Sequence, residues 1–293
     1  MKRFILTTAL ILAVFLTSLE VIIRLLGIAG STMPNASIDG EYRLKPGSQG
    51  VWVKGPQGNI KSEYNINKQG FNSLLDDYEQ DSSELKIALI GDSYIEGLHV
   101  NVQSSIGRTV EDLYTESEVS VHEYGISGWN AHNFLQTAQE IQTEYNLVFV
   151  LITEKDLIDK HKSNPGQTDP SIARRIYDEI HILRYLNINR GILKKIKKIG
   201  PRGINGDSEN IQPNINYELI RKFPENTIFL YEESKFLSLP SHGVFLKIDH
   251  MKQPINFGKV DSHWNFNGRL NCARTIVNYL LEYKPTNISA GGF

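Results

Sequence analysis

A run of four apolar residues, Ile87-Ala88-Leu89-Ile90, ends directly in Gly91-Asp92-Ser93, and this junction constrains the fold more than any other feature. A short continuous apolar run closed by glycine marks a strand buried on both faces. Downstream, strand-like and helix-like segments alternate. A helix is expected over residues 105–114, with Ile106, Val110 and Leu113 on one side, and a second strand from Val119 to Gly125. A helix over 131–145, a third strand over 147–152, a fourth over 226–231, a fifth over 244–248 and a closing helix over 266–283 complete the pattern. Such alternation builds a parallel sheet with helices on both faces and places sites at the carboxyl ends of the strands. The expected fold is therefore α/β, a three-layer αβα sandwich around a five-stranded parallel sheet. Between the third and fourth strands the chain makes an excursion over about 158–225, far longer than an ordinary crossover. Within it, residues 172–199 read as helical with Ile176, Ile180, Leu183 and Leu186 as the apolar side, and the whole segment reads as a lid or substrate-recognition element.

The first thirty residues belong to another solvent. Lys2 and Arg3 precede sixteen uncharged residues, Phe4 to Leu19, and the apolar texture continues past Glu20 and Arg24 to about Ala29. Sixteen helical residues cover ~24 Å of a hydrocarbon core about 30 Å thick, and the next few close the gap. Glu20 and Arg24, four apart with the acid first, pair on one helix face near the interface. The run exceeds the usual length of a cleaved signal's apolar region, so an uncleaved single-pass anchor is expected, with a secreted, processed protein as the alternative. In both cases Lys2 and Arg3 stay cytoplasmic and the remainder is exported. The domain reading is an anchor at 1–30, a linker with β-hairpin and loop decoration at 31–84, and the α/β domain at 85–293. Within the decoration, Ser31 to Gly40 reads as linker and 76–84 as an acidic, solvated connector.

Charge and cysteine content exclude several classes of partner. With 31 basic and 33 acidic residues the net charge is −2, which gives no global field for nucleic acid. Cys272 is the single cysteine, so there is neither an internal disulfide nor a cysteine-based zinc site, and no two of the eight histidines stand at His-x-x-x-His spacing. No metal and no cofactor is expected. Arg190 to Arg202 is basic, with Lys194, Lys195, Lys197 and Lys198; a solvated helix face and a contact with anionic lipid or polysaccharide are both open readings.

Two half-motifs at opposite ends of the α/β region carry the chemistry. Ser93 stands just past the first strand's carboxyl end, in a turn that glycine at 91 and 97 suits. A serine hydroxyl becomes a nucleophile only when a neighbouring base takes its proton. Asp261-Ser262-His263-Trp264-Asn265, just before the last helix, supplies a base near neutral pH and a carboxylate to orient it, with Asn265 as candidate N-cap. Taken singly, the first is a polar turn and the second a capping acid beside a surface histidine. Asp249-His250 is a competing pair, but it sits at the end of a strand without a helix start behind it.

These residues resemble the SGNH (GDSL-type) hydrolase family, over about residues 86–283. Gly91-Asp92-Ser93 with Gly97 is similar to that family's nucleophile block, which implies Ser93 as nucleophile. Gly125-Ile126-Ser127-Gly128 is similar to its second block, which implies the Gly128 backbone N–H as an oxyanion donor beside that of Ser93. The third block departs: the family has Gly-x-Asn-Asp, and here stands Thr153-Glu154-Lys155-Asp156. Lys155 replaces the donor asparagine, and Asn130 or Asn133 are open alternatives. The last block has Asp261 and His263 two apart rather than three. The resemblance implies a serine esterase acting without a cofactor on O-acyl groups, acetyl above all, of extracytoplasmic carbohydrate or another small ester. The same residues suit an O-acyltransferase passing the acyl group to a sugar hydroxyl, and the loss of the asparagine suits an inactive glycan-binding or assembly protein.

Overall fold

The computed structural model describes residues 1–31, 34–38, 41–75, 82–158, 172–190, 215–233, 239–250 and 253–282. Helix α1 (Lys2–Leu26) is followed by two antiparallel hairpins, β1 (Asn35–Ile38) with β2 (Glu41–Leu44), and β3 (Gln49–Lys54) with β4 (Ile60–Asn65). Strands β5 (Leu85–Gly91), β6 (Val119–Gly125), β7 (Leu147–Leu151), β8 (Thr227–Tyr231) and β9 (Val244–Lys247) form one parallel sheet in the order β6-β5-β7-β8-β9. The helices after β5 are α2 (Ser93–Glu96), α3 (Ile106–Leu113), α4 (Ala131–Ile141), α5 (Ile172–Glu179), α6 (His181–Arg190) and α7 (Phe266–Glu282).

Strand alternation sorts the core into two layers, since successive side chains point to opposite faces. Ile87 and Leu89 of β5 with Phe149 of β7 meet Ile106 and Val110 of α3 and Cys272, Ala273 and Ile276 of α7. Ala88 and Ile90 with Val148 and Val150 meet Phe134 and Ala138 of α4 on the other face. Both faces are thereby covered, which is why the strands read as unbroken apolar runs. The three-layer α/β architecture with a five-stranded parallel sheet is the one expected from the sequence.

Several local expectations change. Residues 31–40, read as linker, contain β1, which pairs with β2 from Asn35↔Leu44 to Ile38↔Glu41. The hairpins are bound into the body: Leu44, Tyr64, Ile66 and Phe71 belong to the same buried cluster as α4. The long helix expected over 172–199 breaks at Ile180 into α5 and α6, and residues 191–199 lie outside those described. Three residues of its apolar side, Ile176, Ile180 and Leu183, are exposed. Most of the lid-like segment, most of the acidic connector and the basic run after Arg190 also lie outside the described residues.

Helix α1 is long and apolar enough to cross a membrane, at ~1.5 Å per residue over 25 residues, and an export signal would have the same properties. Of its residues Ile23 is buried. The expected pair forms, Arg24 Nε lying 2.8 Å from Glu20 Oε1.

Candidate active site

Strand β5 delivers Ser93. The chain leaves the sheet at Gly91, Asp92 caps the one-turn helix α2 by accepting from Tyr94 N–H at 3.0 Å, and Ser93 is its first residue. A first-turn N–H has no partner inside its own helix, so that of Ser93 is available to an anion at the strand end. Glycine at 125 lets β6 pass directly against this turn: a Cβ there would lie 2.1 Å from the Glu96 backbone nitrogen. With Gly91 paired to Gly125 in register, the loop Ile126–Gly128 emerges beside Ser93.

His263 arrives from the other end of the chain. Asn265 caps α7, its Oδ1 accepting from Asn267 N–H at 2.9 Å, and its side chain donates to Pro254 O and Asn256 O, fixing the preceding loop. Trp264 is buried, donates from its indole N–H to Glu232 at 2.7 Å and stacks edge-on against Tyr94. These contacts aim His263 at the strand end.

The resulting relay is continuous. Ser93 Oγ lies 2.9 Å from His263 Nε2, and His263 Nδ1 lies 2.5 Å from Asp261 Oδ1, which also accepts from the His263 backbone N–H at 2.8 Å. An ionised carboxylate only accepts, so the proton belongs on Nδ1 and Nε2 is left as acceptor for the serine hydroxyl. Burial opposes ionisation of Asp261. The hydrogen bonds from Lys54 and from His263 outweigh it and hold the carboxyl well below the ordinary carboxylate range. Asp92 is less well placed than His263 to take the proton. Its Oδ2 is 3.5 Å from the same hydroxyl, at the limit of a hydrogen bond, and its Oδ1 is taken by Tyr94 N–H. Tyr94, beside His263, stays a phenol, since burial first and the carboxylates of Glu232 and Asp92 next raise it to about 12.

Two participants carried no signal in the sequence. Lys54, at the end of β3, donates from its ammonium to Asp261 Oδ2. His99 stacks on His263 with ring centroids 4.1 Å apart and 14° between planes, and its Nε2 lies 3.5 Å from Asp261 Oδ2. Burial, and then the adjacent His263, lower His99 to about 3, so it stays neutral and serves as a flat wall rather than a second cation. Nothing in the spacing of a hairpin lysine or a lone histidine could have announced either contact. His99, Asp261 and His263 also bring one ligand atom each within 4.8 Å of one another, a donor set compatible with a metal ion. Within it, Asp261 already accepts from Lys54 and from His263.

The remaining sequence candidates divide. Gly128 has φ +87° and open space where a Cβ would stand, so its turn borders a free volume. The turn is tied down by Ser127, whose hydroxyl donates to buried Glu96. Lys155 is an exposed side chain on the 3-10 turn over 154–157 that follows β7. Asp156 in that turn accepts from Thr153 N–H at 2.8 Å and Thr153 Oγ1 at 2.7 Å, which is a local capping role. Asn130 and Asn133 cap α4: Asn130 accepts from His132 N–H, and Asn133 from Asn130 N–H. His250 faces Glu232 at 2.7 Å rather than a hydroxyl. A cavity of about 450 Å³ between β9 and α7, lined by residues such as Lys247, Asn271 and Arg274, includes none of the relay residues.

No protein-family model matches the chain. No curated protein matches it either. Among solved structures, it is similar to a member of the lipolytic protein G-D-S-L family from Veillonella parvula DSM 2008. The identity is 12%, the match covers 67% of this chain and 98% of that one, and the TM-score is 0.36. A G-D-S-L family protein from Desulfitobacterium hafniense DCB-2 is similar at 12% identity over 66% of this chain and 99% of that one, with a TM-score of 0.33. At these TM-scores neither likeness bears on how this chain works.

Proposed function

We propose that the protein is a serine esterase of the SGNH type, held to a membrane by α1 with its α/β domain outside the cytoplasm. The observation that carries this reading is the unbroken path from Ser93 Oγ through both nitrogens of His263 to Asp261. Ser93 Oγ attacks the ester carbonyl carbon as His263 Nε2 takes the hydroxyl proton, and Asp261 holds the imidazole in place and stabilises its charged form. The oxyanion accepts hydrogen bonds from the backbone N–H groups of Ser93 and Gly128. A single donor of this kind is worth about 2.7–4 kcal/mol of barrier, and with Lys155 exposed the two backbone groups carry that stabilisation. Collapse breaks the ester C–O bond, the alcohol leaves with the proton from His263, and the acyl group stays on Ser93. Water, deprotonated by the same imidazole, then releases the acid and restores the hydroxyl.

The substrate class follows from habitat and chemistry: O-acyl groups, acetyl above all, on carbohydrate at the cell surface. The half-buried rings of Trp52 and Phe257, which flank the buried His99 beside His263, suit the flat face of a sugar ring. The test is acetate release from O-acetylated glycan and from a small aryl acetate, by the full chain and by Ser93→Ala. Release by the parent that disappears in the variant is expected. Equal release by both, or none by a folded parent, overturns the reading, and acetyl transfer to added sugar exceeding free acetate would make the protein an acyltransferase.

A further inference from the structure

Helices α5 and α6 are inside out for a pair bathed in water. Ile176, Ile180 and Leu183 are spaced four and three apart, and backbone bonds from Ile180 N–H to Ile176 O and from Arg184 N–H to Ile180 O carry the helical path across the break. The three side chains therefore share one face, at 49%, 36% and 40% exposure. Arg184, by contrast, is buried at 7% and donates to Asp178 O. A water-facing amphipathic helix shows the opposite arrangement.

The neighbour of this pair is α1. Glu20 accepts from the backbone N–H groups of His181 and Ile182, each at 3.0 Å, and so caps the start of α6. Arg24 donates to Glu179 O at 3.0 Å. Glu20 follows immediately upon the sixteen uncharged residues of α1, so these contacts lie where that helix leaves the hydrocarbon. Beyond Glu20, α1 still exposes Leu25 at 81% and Leu26 at 56%. Apolar side chains are thus exposed on α1 and on α5 and α6, while Glu20 and Arg24 bond to backbone groups where these helices meet. Two further bonds fasten this assembly to the hairpin bearing Lys54: Lys61 Nζ to Leu26 O at 3.0 Å and Tyr185 Oη to Pro56 O at 3.0 Å.

We infer that α5 and α6 lie in the membrane interface, with Ile176, Ile180 and Leu183 seated among lipid beside the point where α1 emerges. The occupant of the exposed face is the bilayer itself, and the inference rests on α1 being the membrane anchor. It gives the α/β domain a fixed orientation on the surface, because the hairpin, α1 and α6 are joined.

The native cysteine helps the test, since Cys272 is fully buried and leaves a single introduced thiol to be labelled. Full-length I180C and L183C, each carrying an environment-sensitive fluorophore, are placed in phosphatidylcholine–phosphatidylglycerol vesicles containing quencher-bearing lipid. L12C in α1 and E218C, on the 3-10 turn over 217–222 with its side chain exposed, serve as references. Blue-shifted emission from positions 180 and 183, quenched about twofold or more by a quencher held ~5–10 Å deep, is expected, with E218C unaffected. Water-like emission at both positions overturns the inference. Blue-shifted emission indifferent to lipid quencher also overturns it, since a second protein copy or another segment would then cover the face. Quenching at L12C alone leaves the anchor standing, whereas no quenching even there removes the anchor as well.

Discussion

Lys54 and Asp261 lie 207 residues apart in the chain, yet the ammonium of the first donates to the carboxylate oxygen of the second that faces away from His263. The amino-terminal hairpin thereby reaches the carboxyl-terminal end of the relay. The bond fixes the carboxylate whose other oxygen orients the imidazole. Lys54→Met keeps the stem and removes the charge. It is expected to lower kcat/KM roughly tenfold, the scale of one charge-assisted hydrogen bond. The loss should fall on kcat with KM little changed, and a loss confined to KM would reduce Lys54 to a packing residue.

Asp261→Asn keeps the shape of the side chain and lets the imidazole adopt the wrong tautomer. Loss of roughly 10⁴-fold in kcat with little change in KM is expected, by analogy with what the tautomer change costs serine hydrolases. Steady-state kinetics on a small ester checks this, and a loss confined to KM would contradict it.

Gly128 and Gly125 should respond differently to alanine. At Gly128 the space is open and the cost is backbone strain at φ +87°, roughly 1–2 kcal/mol, so the fold survives while the N–H proposed as an oxyanion donor shifts. At Gly125 the new Cβ meets backbone of Ile95 and Glu96 at 2.5 and 2.1 Å, which costs ~3 kcal/mol or more. Urea unfolding beside activity separates them. Gly128→Ala should lose activity out of proportion to stability, and Gly125→Ala should lose the fold.

Glu96 gives stability a pH dependence. Burial pushes its carboxyl up to about 7 against the hydrogen bonds from Ser127, and the charge of Asp92 adds to the rise. The folded protein then holds a proton that the unfolded chain releases from its ordinary value of 4.5 upward. The stabilisation is complete below that value and is lost as pH rises through about 7. Glu111, raised to about 7, and Asp156, raised to about 6, both chiefly by burial, act with the same sign. Thermal unfolding between pH 4.5 and 8 should show stability falling with pH, with a shallower fall in Glu96→Gln. An unchanged slope in that variant would place the dependence elsewhere.

The sheet was readable because strands covered on both faces carry contiguous apolar side chains, as Ile87–Ile90 and Leu147–Leu151 do. Ser93 and His263 were readable because a strand-end turn and a helix start each leave local signatures, in Asp92 and in Asn265. Strand β1 was missed: among the described residues it pairs with β2 alone, its residues alternate between exposed and half-buried, and so it lacks an apolar run. Lys54 and His99 were missed because their meeting with Asp261 exists only in three dimensions. The apolar stripe of α5 and α6 was found, but periodicity shows that a face is apolar and not which way it looks.

The most direct test of the relay is labelling by a fluorophosphonate, which modifies a serine only when its hydroxyl is activated. Treated full-length protein should carry the adduct on the peptide containing Ser93, with labelling abolished in Ser93→Ala and reduced at least ~10²-fold in rate in His263→Ala. A folded parent that stays unlabelled, or one labelled at the same rate without the His263 imidazole, would contradict the account.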